Sequence, residues 1–155
     1  MTIKDLGFNK ILRELRALAR SEVAVGIIGS EATTKHPDSD LTLAEVAAVN
    51  EYGSEDGHVP ERPAHRNCAD DNQSEITKNT QAAISAVLSG AKAQAVMDRI
   101  GVWYTGKVKQ AIADFDSPPN APATIRAKGA NNPLIDTGRT RNSVTHVVRK
   151  LTQDK

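Results

Sequence analysis

The sequence predicts an α+β fold: a small antiparallel sheet packed against one or two long helices, with long extended loops between them. Three observations predict it. From about Ala64 to Phe115 apolar residues recur close to every 3.6 positions, the spacing of a helix with one buried stripe. Only two runs read as convincing strands, Val23–Ile28 and Ser143–Leu151. Residues 30–41 and 116–136 are polar and interrupted by proline, so they read as long loops. The 155 residues fit a single domain spanning 1–155. A chain of that length hides roughly 70% of its unfolded surface, enough for a real core.

Each element has its own signal. Phe8, Ile11, Leu12, Leu15 and Leu18 recur at helical spacing, and Lys10, Arg13, Glu14, Arg16 and Arg20 fill the rest, which predicts an amphipathic helix of about three turns. Val23–Ile28 follows as a buried strand. Ala24 and Gly26 share one of its faces, and their small size is expected to let a helix pack close there. Thr42 with Glu45 three residues on forms a capping-box pattern at the start of a short helix, and Gly53 ends that helix. Between Ala64 and Phe115, Gly90, Gly101 and Gly106 interrupt the pattern. Either two helices meet near Gly90 or one long helix kinks. Trp103-Tyr104 is expected as a core anchor. A single short turn is expected at Ala123–Ala127. Two strands rarely stand alone, so either weaker strands hide in the loops or a neighbouring copy completes the sheet.

Composition narrows the function classes. Hydrophobic residues make up 39% and charged residues 25%, a globular composition. Aromatic content is only 3%, so Ala, Val, Ile and Leu must build the core. A formal net charge of +1 does not mark a bulk nucleic-acid binder. The single cysteine, Cys68, excludes an intrachain disulfide and a cysteine metal cluster. No apolar run is long enough to span a bilayer, and the first residues lack a signal-peptide core, so a cytosolic origin without membrane attachment is expected. The charge is divided, however. Residues 31–62 hold eight acids and two bases (8 − 2, net −6), and residues 126–150 hold six bases and one acid (6 − 1, net +5). Opposite patches either favour steered, head-to-tail association or form two solvated faces that never meet.

The candidates for chemistry are weak. Leu134-Ile135-Asp136-Thr137-Gly138 matches the turn of an aspartic protease, which needs two such carboxylates facing each other and therefore a dimer. Arg139 follows where a small residue is required, and the 17 residues after Gly138 (155 − 138) are too few for the remaining strands. The alternative is a capping turn: Asp136 or Thr137 caps a short helix starting near Gly138. His58, His65 and Cys68 are close in sequence but place no fourth metal ligand. Gly26–Ser30 lacks the lysine and the helix start of a phosphate loop. Glu22, Glu45 and Glu51 have no paired spacing for acid–base work. Arg139, Arg141, Arg149 and Lys150 have no aromatic residues among them, so they are expected to face solvent or protein.

Several segments, in order, resemble one family. Val23–Ile27 is similar to its first strand. Ala47–Gly53 (Ala-Ala-Val-Asn-Glu-Tyr-Gly) is similar to its short helix ending in Asn-Glu-aromatic-Gly. Val59-Pro60-Glu61-Arg62-Pro63 resembles its Ile-Pro-x-Arg-Pro turn. Asn120–Ile125, Lys128-Gly129 and Pro133–Gly138 resemble its C-terminal signature. The family is that of tail-component and neck proteins of long-tailed bacteriophages and prophages, also described as virion morphogenesis or tail-completion proteins. The resemblance runs from Val23 to Val148. One departure is Ala64-His65, where the family commonly has a bulky apolar pair after the Arg-Pro.

The resemblance implies a structural role and no enzymatic one, with no cofactor. Such proteins form rings at the head–tail junction or cap the tail end. Expected partners are further copies of the chain, a connector or adaptor, the tail tube, and DNA nearby in the channel. The expected location is the virion, assembled in the bacterial cytoplasm. Expected contact residues are Glu51, Glu55 and Asp56 on the acidic side, and Arg62, Lys128, Arg139 and Arg141 on the basic side. The alternatives are a dimeric aspartic protease using Asp136, and a prophage-encoded host-interaction protein.

Overall fold

The computed structural model describes residues 7–37, 39–135 and 137–151. The order of elements is α1 (Phe8–Ala19), β1 (Ser21–Ile27), α2 (Ser30–Thr33), α3 (Leu43–Tyr52), α4 (Ala64–Asp71), α5 (Gln73–Leu88), α6 (Ala93–Asp114), α7 (Pro122–Lys128), α8 (Arg139–Asn142) and β2 (Val144–Lys150). The fold is α+β, as the sequence predicts. β1 and β2 form a two-stranded antiparallel sheet, with Ser21 opposite Lys150 and Ile27 opposite Val144. Among the described residues no third strand joins them, and the loops add only an isolated Lys35–Thr42 bridge. No helix among those residues is long and apolar enough to cross a membrane.

α6 is the spine. Its first half packs with α1 and α5, where Val96 meets Ala83, Val87, Leu15 and Leu18. Its second half packs with α4 and the sheet, where Val108 and Ile112 meet Ala64, Cys68, Val144, Val25 and Ile27. Tyr104 joins this second cluster, whereas Trp103 is half-buried beside it and carries Lys107 over its ring. The chain breaks at Gly90 (φ 99°), so two helices meet there. A further break falls at Asn72, whose amide donates to the Cys68 carbonyl at 2.8 Å and separates α4 from α5. The two expected loops are less open than their composition suggests. Residues 30–41 contain α2, and residues 116–136 contain α7, with Pro122 in its first turn and Gly129 (φ 72°) at its C-cap.

The sheet presents the opposite face from the one its small residues suggest. Val25 and Ile27 turn toward α6, and Val25 is paired with His146, which touches Gly101 of α6. The period of two then puts Ala24 and Gly26 on the far side, with nothing within 4 Å of a Cβ at Gly26. Burial of the larger apolar side chains decides the face. The close approach is made by the helix instead: a Cβ on Gly101 would lie 2.1 Å from the His146 ring. Gly101→Ala gains about 1 kcal/mol of helix propensity but must displace that ring, at about 1–3 kcal/mol for overpacking. The expected net result is a loss of about 1 kcal/mol in chemical denaturation, reversed in sign when His146→Ala is present. A stabilised Gly101→Ala single variant contradicts this packing.

Candidate functional site

α3, the Arg62-Pro63 turn, α4 and the C-terminal loop meet at one junction. α3 starts at a complete capping box: Thr42 Oγ1 accepts from Glu45 N, and the Glu45 carboxylate accepts from Thr42 N at 2.7 Å. It ends at Gly53 (φ 79°), where a Cβ would press on Val59 O at 3.1 Å and Glu61 N at 3.2 Å. That turn sends the chain through a tight loop. Ser54 N donates to Val59 O at 2.9 Å, and Asp56 accepts from Ser54 Oγ at 2.6 Å and from His58 N at 3.0 Å. These bonds hold the Asp56 carboxyl below its ordinary range, the Ser54 hydroxyl contributing most. The chain then returns alongside α3, with Arg62 N donating to Asn50 O at 2.7 Å.

Glu51, in the last turn of α3, is buried. Its carboxylate serves as the cap of α4, whose own N-cap residue, Pro63, has no side chain to do so. One oxygen accepts from His65 N at 3.0 Å and lies 3.1 Å from His65 Nδ1, and the other accepts from Arg66 N at 3.0 Å and Arg66 Nε at 3.3 Å. With Glu51 ionised, the imidazole proton sits on Nδ1. Burial pushes the carboxyl up, but the N–H groups of His65 and Arg66 outweigh it and hold it below its ordinary value. Arg66 also donates to Glu51 O, pairs with Glu61, and lies 5.1 Å over the Tyr52 ring. Ala64 fills the core at the start of α4, and the His65 ring lies against the Glu51 carboxylate.

Arg62 is the second tie. It is only 8% exposed, and its Nε and Nη2 donate to Pro118 O and Pro119 O at 3.2 and 3.3 Å. The C-terminal loop is fastened further by Asn132. Its Oδ1 accepts from Leu134 N and Ile135 N at 3.1 and 2.9 Å, its Nδ2 donates to Ala113 O, and its carbonyl accepts from Asn120 Nδ2 and Lys128 Nζ. Leu134 and Ile135 are thereby set against the core. The cavity left beside Glu51, Arg62 and Thr140 is about 20 Å³, room for about one water and no substrate.

Two of the expected contact residues are therefore corrected. Glu51 and Arg62 are buried and spent inside the subunit, because each satisfies backbone groups that two segments leave unpaired. Glu55, Asp56 and Arg139 are exposed, and Lys128 and Arg141 are half-buried. Arg141 donates to Asn142 Oδ1. The capping turn is also adjusted. Gly138 (φ 75°) is the N-cap of α8, without a side-chain cap, and Thr137 precedes it, its hydroxyl accepting from Arg139 N at 3.4 Å. The expectation for Asp136 lies outside the described residues.

The candidate chemical groups do not converge. His58 pairs with Asp56, His65 with Glu51, and Cys68 is buried under Tyr104, so the three do not form a ligand set. Among the described residues no group of three or more His, Cys, Asp or Glu could hold a metal. Burial pushes the Cys68 thiol up and Tyr104 up to about 12, which leaves both protonated and poorly nucleophilic at neutral pH. No family model, no curated protein and no solved structure matches the chain.

Proposed function

We propose that the chain is a structural virion protein of a tailed bacteriophage, forming a ring at the head–tail junction or tail end and needed for head–tail joining. The observation that supports this most is convergence. Of the segments resembling tail and neck components, 47–53 and 59–63 are joined by Arg62 N donating to Asn50 O, and the Arg62 side chain reaches Pro118 O and Pro119 O, next to the segment 120–125.

Two further features suit assembly. Among the described residues the sheet has two strands and leaves the Gly26 side open, and exposed Glu55 and Asp56 oppose in sign the exposed Arg139. A head-to-tail contact between such surfaces makes a ring when its rotation closes. In this reading the neighbours are a connector or adaptor and the tail tube, and the protein travels in the virion after assembly in the host cytoplasm. Mass measurement of the purified chain, alone and mixed with phage heads or tails, tests it. A discrete oligomer or entry into particles is expected. A chain that stays monomeric and never enters particles rules the proposal out.

A further inference from the structure

A cleft of about 620 Å³ lies between α1, the start of α6 and the end of β2. Arg13, Arg16, Arg20 and Lys150 line it, with Glu14 as the one acid (4 − 1, net +3). The arginines recur at intervals of three and four, so they share one face of α1. Glu14 is turned inward, its carboxylate accepting from Ala93 N at 3.0 Å and lying 4.0 Å from Arg13 Nε. Among the described residues Arg16, Arg20 and Lys150 have no ion pair or side-chain hydrogen bond.

We infer that this cleft binds the phosphate backbone of duplex DNA without reading its sequence. The arginines span about 10 Å along the helix axis, over which a duplex presents a phosphate charge about every 1.7 Å of its own axis. Guanidinium groups match phosphate geometry better than ammonium groups do. No aromatic side chain lines the cleft, so stacking on single-stranded bases has no platform. The apolar lining is limited to Ala17, Ala93 and Val148, too little for the core of a protein interface. A membrane surface is disfavoured by packing, because Leu15 and Leu18 of α1 are engaged with α5 and α6 and cannot enter lipid. The inference stands on the cleft alone and does not require the virion role.

The test is binding of the full chain to a labelled duplex of about 25 base pairs across a salt series. The logarithm of the affinity is expected to fall linearly with the logarithm of salt, with a slope of about −3. Two unrelated duplex sequences should bind alike. The variant R13Q/R16Q/R20Q keeps helix propensity, so its thermal midpoint should hold. Its affinity at low salt should fall at least tenfold and its slope should approach zero. R139Q/R141Q, changed on the other basic segment, should bind as the unmodified chain does. The inference is overturned by any of three results: equal losses in both variants, binding to anionic phospholipid vesicles but not to duplex, or loss of self-association in R13Q/R16Q/R20Q with no duplex binding by the unmodified chain.

Discussion

Glu51→Ala should cost the fold about 2–4 kcal/mol, from about 1–2 kcal/mol for each of two N–H groups left unpaired. The loss strands the backbone N–H groups of His65 and Arg66 at the start of α4, while the Arg66 guanidinium keeps Glu61 and the Glu51 carbonyl. Glu51→Gln should cost about half as much, since an amide oxygen replaces only one of two acceptor oxygens. The pH dependence separates charge from shape. The folded carboxyl lies below its ordinary value of 4.5, because the donated N–H bonds outweigh burial. A depressed carboxyl contributes stability that is fully present above its unfolded value and lost as pH falls through its folded value. The gap between Glu51→Gln and the unmodified chain should therefore be widest at neutral pH and shrink below about pH 4. Denaturant titrations at pH 7 and pH 3 measure it. A gap that is the same at both values means the charge of Glu51 contributes nothing.

Arg62→Ala should cost about 3 kcal/mol, from two hydrogen bonds of a charged donor at about 1.5 kcal/mol each. The effect should also be local. Pro118 O and Pro119 O lose the group that holds residues 116–135 to the α3–α4 junction. Cleavage by a protease within that segment should accelerate more than global unfolding does. Arg62→Lys should recover less than half of the loss, because one ammonium cannot reach two carbonyls in the fork geometry of a guanidinium. A full rescue by Lys, or a protease pattern unchanged in Arg62→Ala, contradicts the role given to Arg62.

Some of this was legible in the sequence for local reasons. The ends of α3 are encoded within a few residues, by Thr42 with Glu45 and by Gly53. The helix of Phe8–Ala19 and the break at Gly90 follow from periodicity and from one residue type. Pro122 and Gly129 also bracket α7 by a local rule, Pro at a helix start and Gly past its end, so that helix was within reach of the sequence. The break at Asn72 has no Gly or Pro to announce it.

The site was legible in its segments but not in its side chains. The roles of Glu51 and Arg62 depend on partners 14 to 57 residues away, brought near only when the segments dock. A count of charges over 31–62 treats every acid as a surface group, yet Glu45, Glu51, Asp56 and Glu61 are all engaged within the subunit. The sheet face failed for a related reason. The small size of Ala24 and Gly26 invites a close helix, but the alternation of Val23, Val25 and Ile27 decides which side is buried.

An electron-microscopy map of the assembled phage particle tests the central proposal most directly. The proposal predicts a closed ring built from copies of this chain at the head–tail junction or the tail end. Intact, infectious particles whose neck and tail contain no copy of the chain contradict it.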